Sequence, residues 1–224
     1  VSHGDNLKLV GTWDLDVPEP SGVSLAADGK SLWIISDETG AIHRVTMEGV
    51  PLEQISVGSS DVEGIATLGD DRLAIIAERE RKLVLLDTHG KRLEERKLDI
   101  PGSDNIGPEA VAYNPAAREF YVVKEDQPGL FLALDENLKE IRRKELRFAR
   151  DYSGLEFEPV RGHLWVLSDE SQSIHVFDLN LDLLTTFSTN IIQAEGIAVD
   201  YPNKRLYLVS DKTAKLYVFS FEDY

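Results

Sequence analysis

The chain is 224 residues long, carries 40 acidic against 24 basic residues for a formal net charge of −16, and has no cysteine. That balance excludes a grip on nucleic acid or an anionic membrane surface, both of which need clustered Lys and Arg, and self-repulsion favours a monomer. Without cysteine there is no disulfide framework, no thiolate nucleophile and no Cys-type zinc site.

In chain order, the opening Val1-Ser2-His3-Gly4 is polar and patternless, and residues 1–6 are read as disordered or left over from cloning. An apolar stretch over residues 7–15, Leu7 to Leu15, follows as a strand without a neighbour. A repeat then begins. Its first run starts at Ser21-Gly22-Val23-Ser24, Glu63-Gly64-Ile65-Ala66, Glu109-Ala110-Val111-Ala112, Ser153-Gly154-Leu155-Glu156 and Glu195-Gly196-Ile197-Ala198, and the Gly/Ala positions are 42, 46, 44 and 42 residues apart. A second run follows each time, as in Leu32-Trp33-Ile34-Ile35 and Leu164-Trp165-Val166-Leu167. A third run ends near an Asp, as in Leu83 to Asp87, and a polar fourth follows, as in Arg92 to Leu98.

Short β-branched or aromatic runs broken by turn residues are strand chemistry. Four strands in each repeat of this length predict a propeller blade, so the expected fold is an all-β, five-bladed β-propeller with four antiparallel strands per blade, one domain over residues 1–224. The fifth copy stops after its third strand, Leu216 to Phe219, and the strand at about 7–15 is predicted to complete it and close the ring. Crowding near the axis accounts for the glycines. The basic run Arg142-Arg143-Lys144 reads as a solvated blade edge. No stretch reaches the roughly 18 apolar residues of a membrane helix, so no transmembrane segment is predicted.

Antiparallel pairing puts the start of strand one and the end of strand two at the same end of every blade. One mouth of the channel should therefore gather an inner set, Ser21, Glu63, Glu109, Ser153 and Glu195, and an outer set, Asp37-Glu38, Glu78-Arg79, Glu125-Asp126, Asp169-Glu170 and Asp211-Lys212. The opposite face carries Lys30, Arg72, Arg118, Arg161, Lys204 and Arg205. Crowded carboxylates must take up protons or share a cation, and an all-oxygen donor set of irregular geometry suits calcium. The expected metal ligands are Glu63, Glu109 and Glu195, supported by Glu78, Glu125 and Asp169. Arg79 and Lys124 are candidate contacts for an anion or partner, or ion-pair partners of Glu78 and Glu125. The competing reading is that strand-end carboxylates only accept backbone N–H groups and tie blade to blade. His43 and His175 occupy equivalent third-strand positions and read as repeat features, and no Ser-His-Asp set, phosphate loop or H-E-x-x-H motif occurs.

The strings Glu63-Gly64-Ile65-Ala66, Ala77-Glu78-Arg79-Glu80, Lys124-Glu125, Leu167-Ser168-Asp169-Glu170-Ser171 and Gln193-Ala194-Glu195-Gly196-Ile197-Ala198 resemble the SdiA-regulated protein family over nearly the whole length. The resemblance implies an exported envelope protein, periplasmic or extracytoplasmic and often membrane-anchored, and it implies little biochemistry. Blade five departs from the family's pattern, with Asp211-Lys212 in place of Glu-Pro. The leading expectation is a binding propeller with a divalent cation in its acidic mouth, offered to a small molecule or protein. The alternatives are a metal-dependent hydrolase of phosphoesters or lactones, with a carboxylate as base, and a metal-free interaction scaffold.

Overall fold

The computed structural model describes residues 2–3, 7–69, 71–102, 106–125 and 128–224. Every regular element in them is a strand. Strands β1 (Ser2–His3) and β2 (Lys8–Asp14) precede blade one, which comprises β3 (Pro20–Leu25), β4 (Ser31–Ser36), β5 (Ala41–Thr46) and β6 (Pro51–Ser56). Blade two is β7 (Val62–Gly69), β8 (Arg72–Ala77), β9 (Lys82–Asp87) and β10 (Arg92–Lys97). Blade three is β11 (Pro108–Asn114), β12 (Glu119–Lys124), β13 (Gly129–Leu134) and β14 (Glu140–Leu146). Blade four is β15 (Gly154–Glu158), β16 (His163–Ser168), β17 (Ser173–Phe177) and β18 (Leu183–Ser188). Blade five takes β19 (Ala194–Asp200), β20 (Arg205–Ser210) and β21 (Lys215–Ser220) from the end of the chain and β2 from its beginning.

This is the expected five-bladed propeller, and the expected closure: β2 pairs antiparallel with β21, from Lys8 opposite Ser220 to Asp14 opposite Lys215. Outside that closure, Ser2 and His3 run parallel to β18, opposite Thr185 and Thr186. The rest of the stretch 1–6 lies outside the described residues, as do Asp126 and part of the loop between Asp99 and Pro108. No helix among the described residues is long and apolar enough to cross a membrane.

The core is five wedges, one between each pair of adjacent blades. Between blades two and three, for instance, Ile76, Leu83 and Ala66 meet Val111, Phe120 and Leu132. The ring is closed by the same chemistry, with Val23, Leu32 and Ile34 of blade one against Val209, Leu216 and Val218 of blade five. The outermost strand is polar and fully exposed in blade two, over Arg92–Lys97. A register shift interrupts the pairing of the third and fourth strands in all five blades. Such bulges twist an edge away from further strand pairing, which protects the exposed blade edges from aggregating.

The glycines at the axis answer to close approach of backbone. A Cβ on Gly64 would lie 2.7 Å from the Ala110 Cα of the next blade, and one on Gly22 would lie 2.6 Å from the Glu63 carbonyl oxygen. Below the mouth, Val23, Ile65, Val111, Leu155 and Ile197 close on one another and leave only about 10 Å³. Beneath the mouth the axis narrows to an apolar floor.

Candidate metal centre

The inner residues reach the axis through a local irregularity. In blades one, three and five the ladder between strands one and two shifts register at Pro20/Gly22, Pro108/Ala110 and Ala194/Gly196, leaving Ser21, Glu109 and Glu195 as the extra residues. In blade two the shift spans Val62/Ile65 and includes Glu63. A bulge frees its extra residue from the ladder and re-aims the side chain, here into the mouth. The residue two before the inner position carries the strain of this turn: Glu19, Asp61 and Gln193 have φ of 41°, 54° and 47°, in the left-handed region.

The mouth is a cavity of about 360 Å³ lined by eight carboxylates and Ser21. The lining includes Glu63, Glu109, Glu195, Glu78 and Glu125 of the expected set, and adds Glu19, Asp37 and Asp211. Three of these converge most closely: one carboxylate oxygen from each of Glu78, Glu109 and Glu125 lies within 4.8 Å of the other two. Glu63 and Glu195 share the cavity but do not join that triad. Asp169 lines it not at all. It accepts the N–H groups of Gln193 and Ala194, which ties blade four to blade five.

The electrostatics follow from crowding in a poorly solvated cup. Burial, then the charges of Asp37 and Glu78, push the Glu63 carboxyl up to about 9. Burial and then Asp169 and Asp211 push Glu195 up to about 8. Burial and the neighbouring Glu63 hold Glu109 well above the usual carboxylate range. Burial and the charge of Asp61 also raise Glu78, opposed by the N–H of Gly107, which it accepts from the next blade. Asp37 is raised by burial and by Asp61, and its Oδ1 is buried without a hydrogen-bond partner. Each of these groups is accommodated either by keeping its proton or by a positive charge within the cup.

The basic residues beside the mouth are engaged elsewhere. Arg79, largely exposed, forms its ion pair with Asp61 at 2.5 Å. The buried Lys124 donates from Nζ to the backbone carbonyls of Glu125 and Pro128 at 3.1 and 3.2 Å. The two serines of the inner ring tie blades together. Ser21 Oγ donates to the Val62 carbonyl and Ser153 Oγ to the Ala194 carbonyl, each at 2.8 Å.

A family model described as SdiA-regulated matches residues 15–220. The chain belongs to the SdiA-regulated family. Among solved structures it is similar to the crystal structure of Myxococcus xanthus glutaminyl cyclase, at 13% sequence identity and a TM-score of 0.75, covering 99% of this chain and 100% of that one. At that identity the likeness is one of fold.

The strings typical of this SdiA-regulated propeller divide between structure and site. In Ser168-Asp169-Glu170-Ser171 the work is done by Asp151, which accepts the Ser168 hydroxyl at 2.5 Å and the Asp169 and Glu170 N–H groups at 3.1 Å. Sequence reading missed Asp151, Glu19 and Asp61. The signal available was their shared place two residues before Ser153, Ser21 and Glu63. The strings around Glu63 and Glu195 supply the cavity wall.

Proposed function

We propose that this SdiA-regulated protein is a binding propeller that holds a divalent cation, calcium, in its acidic mouth and offers the loaded mouth to a small molecule or a protein. The reading is carried by the convergence of Glu78, Glu109 and Glu125, one carboxylate oxygen of each lying within 4.8 Å of the other two. Three carboxylates at that spacing repel unless they are protonated or share a cation. The buried Asp37 Oδ1 with no partner supports the same view. All the lining donors are oxygens, which suits a hard ion, and their irregular placement suits calcium over the strict octahedron of magnesium. The apolar floor keeps an ion at the mouth, open to a ligand from one side.

The setting we propose is extracytoplasmic, periplasmic or membrane-anchored, where calcium sites with dissociation constants of about 10⁻⁴–10⁻³ M are typical. Cell fractionation with an antibody to the native chain tests the location. Isothermal titration of chelator-treated protein with calcium tests the site. One ion bound, with affinity lost in Glu109→Gln, is the expected result. No binding up to millimolar calcium, or unaltered binding in the variant, would sink the reading.

A further inference from the structure

Another concavity, sharing no lining residue with the mouth, lies beside the segment between β14 and β15. It encloses about 420 Å³ and is lined by Arg147, Arg150, Tyr152 and Gly129 among others. A second, apolar hollow of about 240 Å³ adjoins it, sharing Leu146 and Arg147, with Phe148, Phe177 and Leu181 in its wall and Lys144 at its edge. The two form one groove along the crossover that leaves β14.

Three observations give this groove a chemistry. First, its charge runs against the −16 of the chain. Arg142 and Arg143 are occupied, donating to the Leu179 and Asn180 carbonyls and to Glu140 and the Asp99 carbonyl, and Arg147 pairs with Glu145 at 2.7 Å. Lys144 and Arg150, at the two ends, form no ion pair among the described residues. Second, Tyr152 is 2% exposed, and its hydroxyl accepts the Phe148 and Ala149 N–H groups at 3.1 and 3.4 Å. Among the described residues no acceptor takes its own proton, although buried hydroxyl donors normally find one. Third, the aromatic wall is prebuilt: the Phe148 ring stands 4.7 Å from Phe177 and 5.0 Å from Tyr152, so an apolar guest meets rings already in place.

We propose that this groove is a binding site for a small organic anion with an aromatic or branched apolar body, its carboxylate held at Arg150 and Tyr152 and its body laid against Phe148 and Phe177. Guanidinium and phenol donors suit a carboxylate, and desolvated aromatic walls suit the body. The site is separate from the acidic mouth and does not depend on calcium.

Titration of isotope-labelled protein with phenylbutyrate, followed by amide NMR shifts in chelator, tests it. Saturable shifts centred on the amides from Arg147 to Tyr152 are expected. Butyrate, which lacks the ring, and phenylbutanol, which lacks the charge, should each bind about tenfold or more weaker, the factor for losing one charge-assisted contact or one ring's burial. Arg150→Glu, an exposed substitution, should abolish the shifts, and Lys30→Glu on the opposite face should leave them. Shifts centred elsewhere, phenylbutanol binding as well as phenylbutyrate, or an unaltered titration in Arg150→Glu would each overturn the proposal.

Discussion

The Ser21 hydroxyl donates to the carbonyl of Val62, 2.8 Å away, and so joins blade one to the residue immediately before Glu63. Ser153 does the same for the residue before Glu195. Serine and glutamate thus alternate roles at one repeat position: serines hold the ring, and glutamates charge the mouth.

Removing either hydroxyl leaves a buried carbonyl without its donor. Ser21→Ala and Ser153→Ala should each lower unfolding free energy by about 1–2 kcal/mol, and by nearly the sum when combined, since they join different blade pairs. Denaturant unfolding of both single variants and the double checks this.

Close approach at the axis makes Gly64 intolerant of any side chain. Gly64→Ala forces its Cβ to within 2.7 Å of the Ala110 Cα. Blades two and three must part, at a cost of about 2 kcal/mol or more. Gly162→Ala, whose Cβ meets nothing within 4 Å, should lose only the smaller cost of its φ of 73°. Thermal melts of the pair rank the two effects.

Asp151 accepts three hydrogen bonds from the Ser168–Glu170 turn. Asp151→Ala should destabilise the protein by about 2–3 kcal/mol, because bonds to an ionised acceptor are the stronger kind. Asp151→Asn should recover part of the loss. A calcium affinity that collapses in Asp151→Ala while stability stays unchanged would contradict this structural role.

Glu109→Gln should separate two quantities that ordinarily move together. The metal-free protein should become more stable near neutral pH, because one carboxyl that burial and Glu63 hold well above its usual range no longer has to take up a proton on folding. Stabilisation by added calcium should shrink, because a ligand is gone. Melting temperatures with chelator and with calcium give both signs in one experiment.

The pH dependence has a defined direction. Glu63 and Glu195 titrate at about 9 and about 8 in the fold, against an ordinary 4.5. Carboxyls raised in this way favour the fold while protonated, and the benefit is lost as pH climbs from about 5 to about 9. Metal-free protein should therefore melt at lower temperature as pH rises across that window. Calcium binding, which competes with those protons, should strengthen over the same window, so the calcium-dependent rise in melting temperature should be largest at high pH.

The blades were legible in the sequence because strand chemistry is local. Ile34, Ile75, Val122, Val166 and Leu208 recur at one place in five runs, and Leu9 to Asp14 had the spacing of the missing outer strand. The end of the propeller at which carboxylates gather was legible too, since antiparallel order fixes it. What the sequence could not determine was which carboxylates meet. A repeat treats Glu63, Glu109 and Glu195 as equivalent, yet Glu109 draws together with Glu78 and Glu125, which follow the second strands of blades two and three, and Asp169 turns aside to the N–H groups of Gln193 and Ala194. That choice depends on bulges at Ser21, Glu109 and Glu195 and on the packing of one blade against the next. That packing joins segments some forty residues apart, so only the tertiary structure decided where the charge converges.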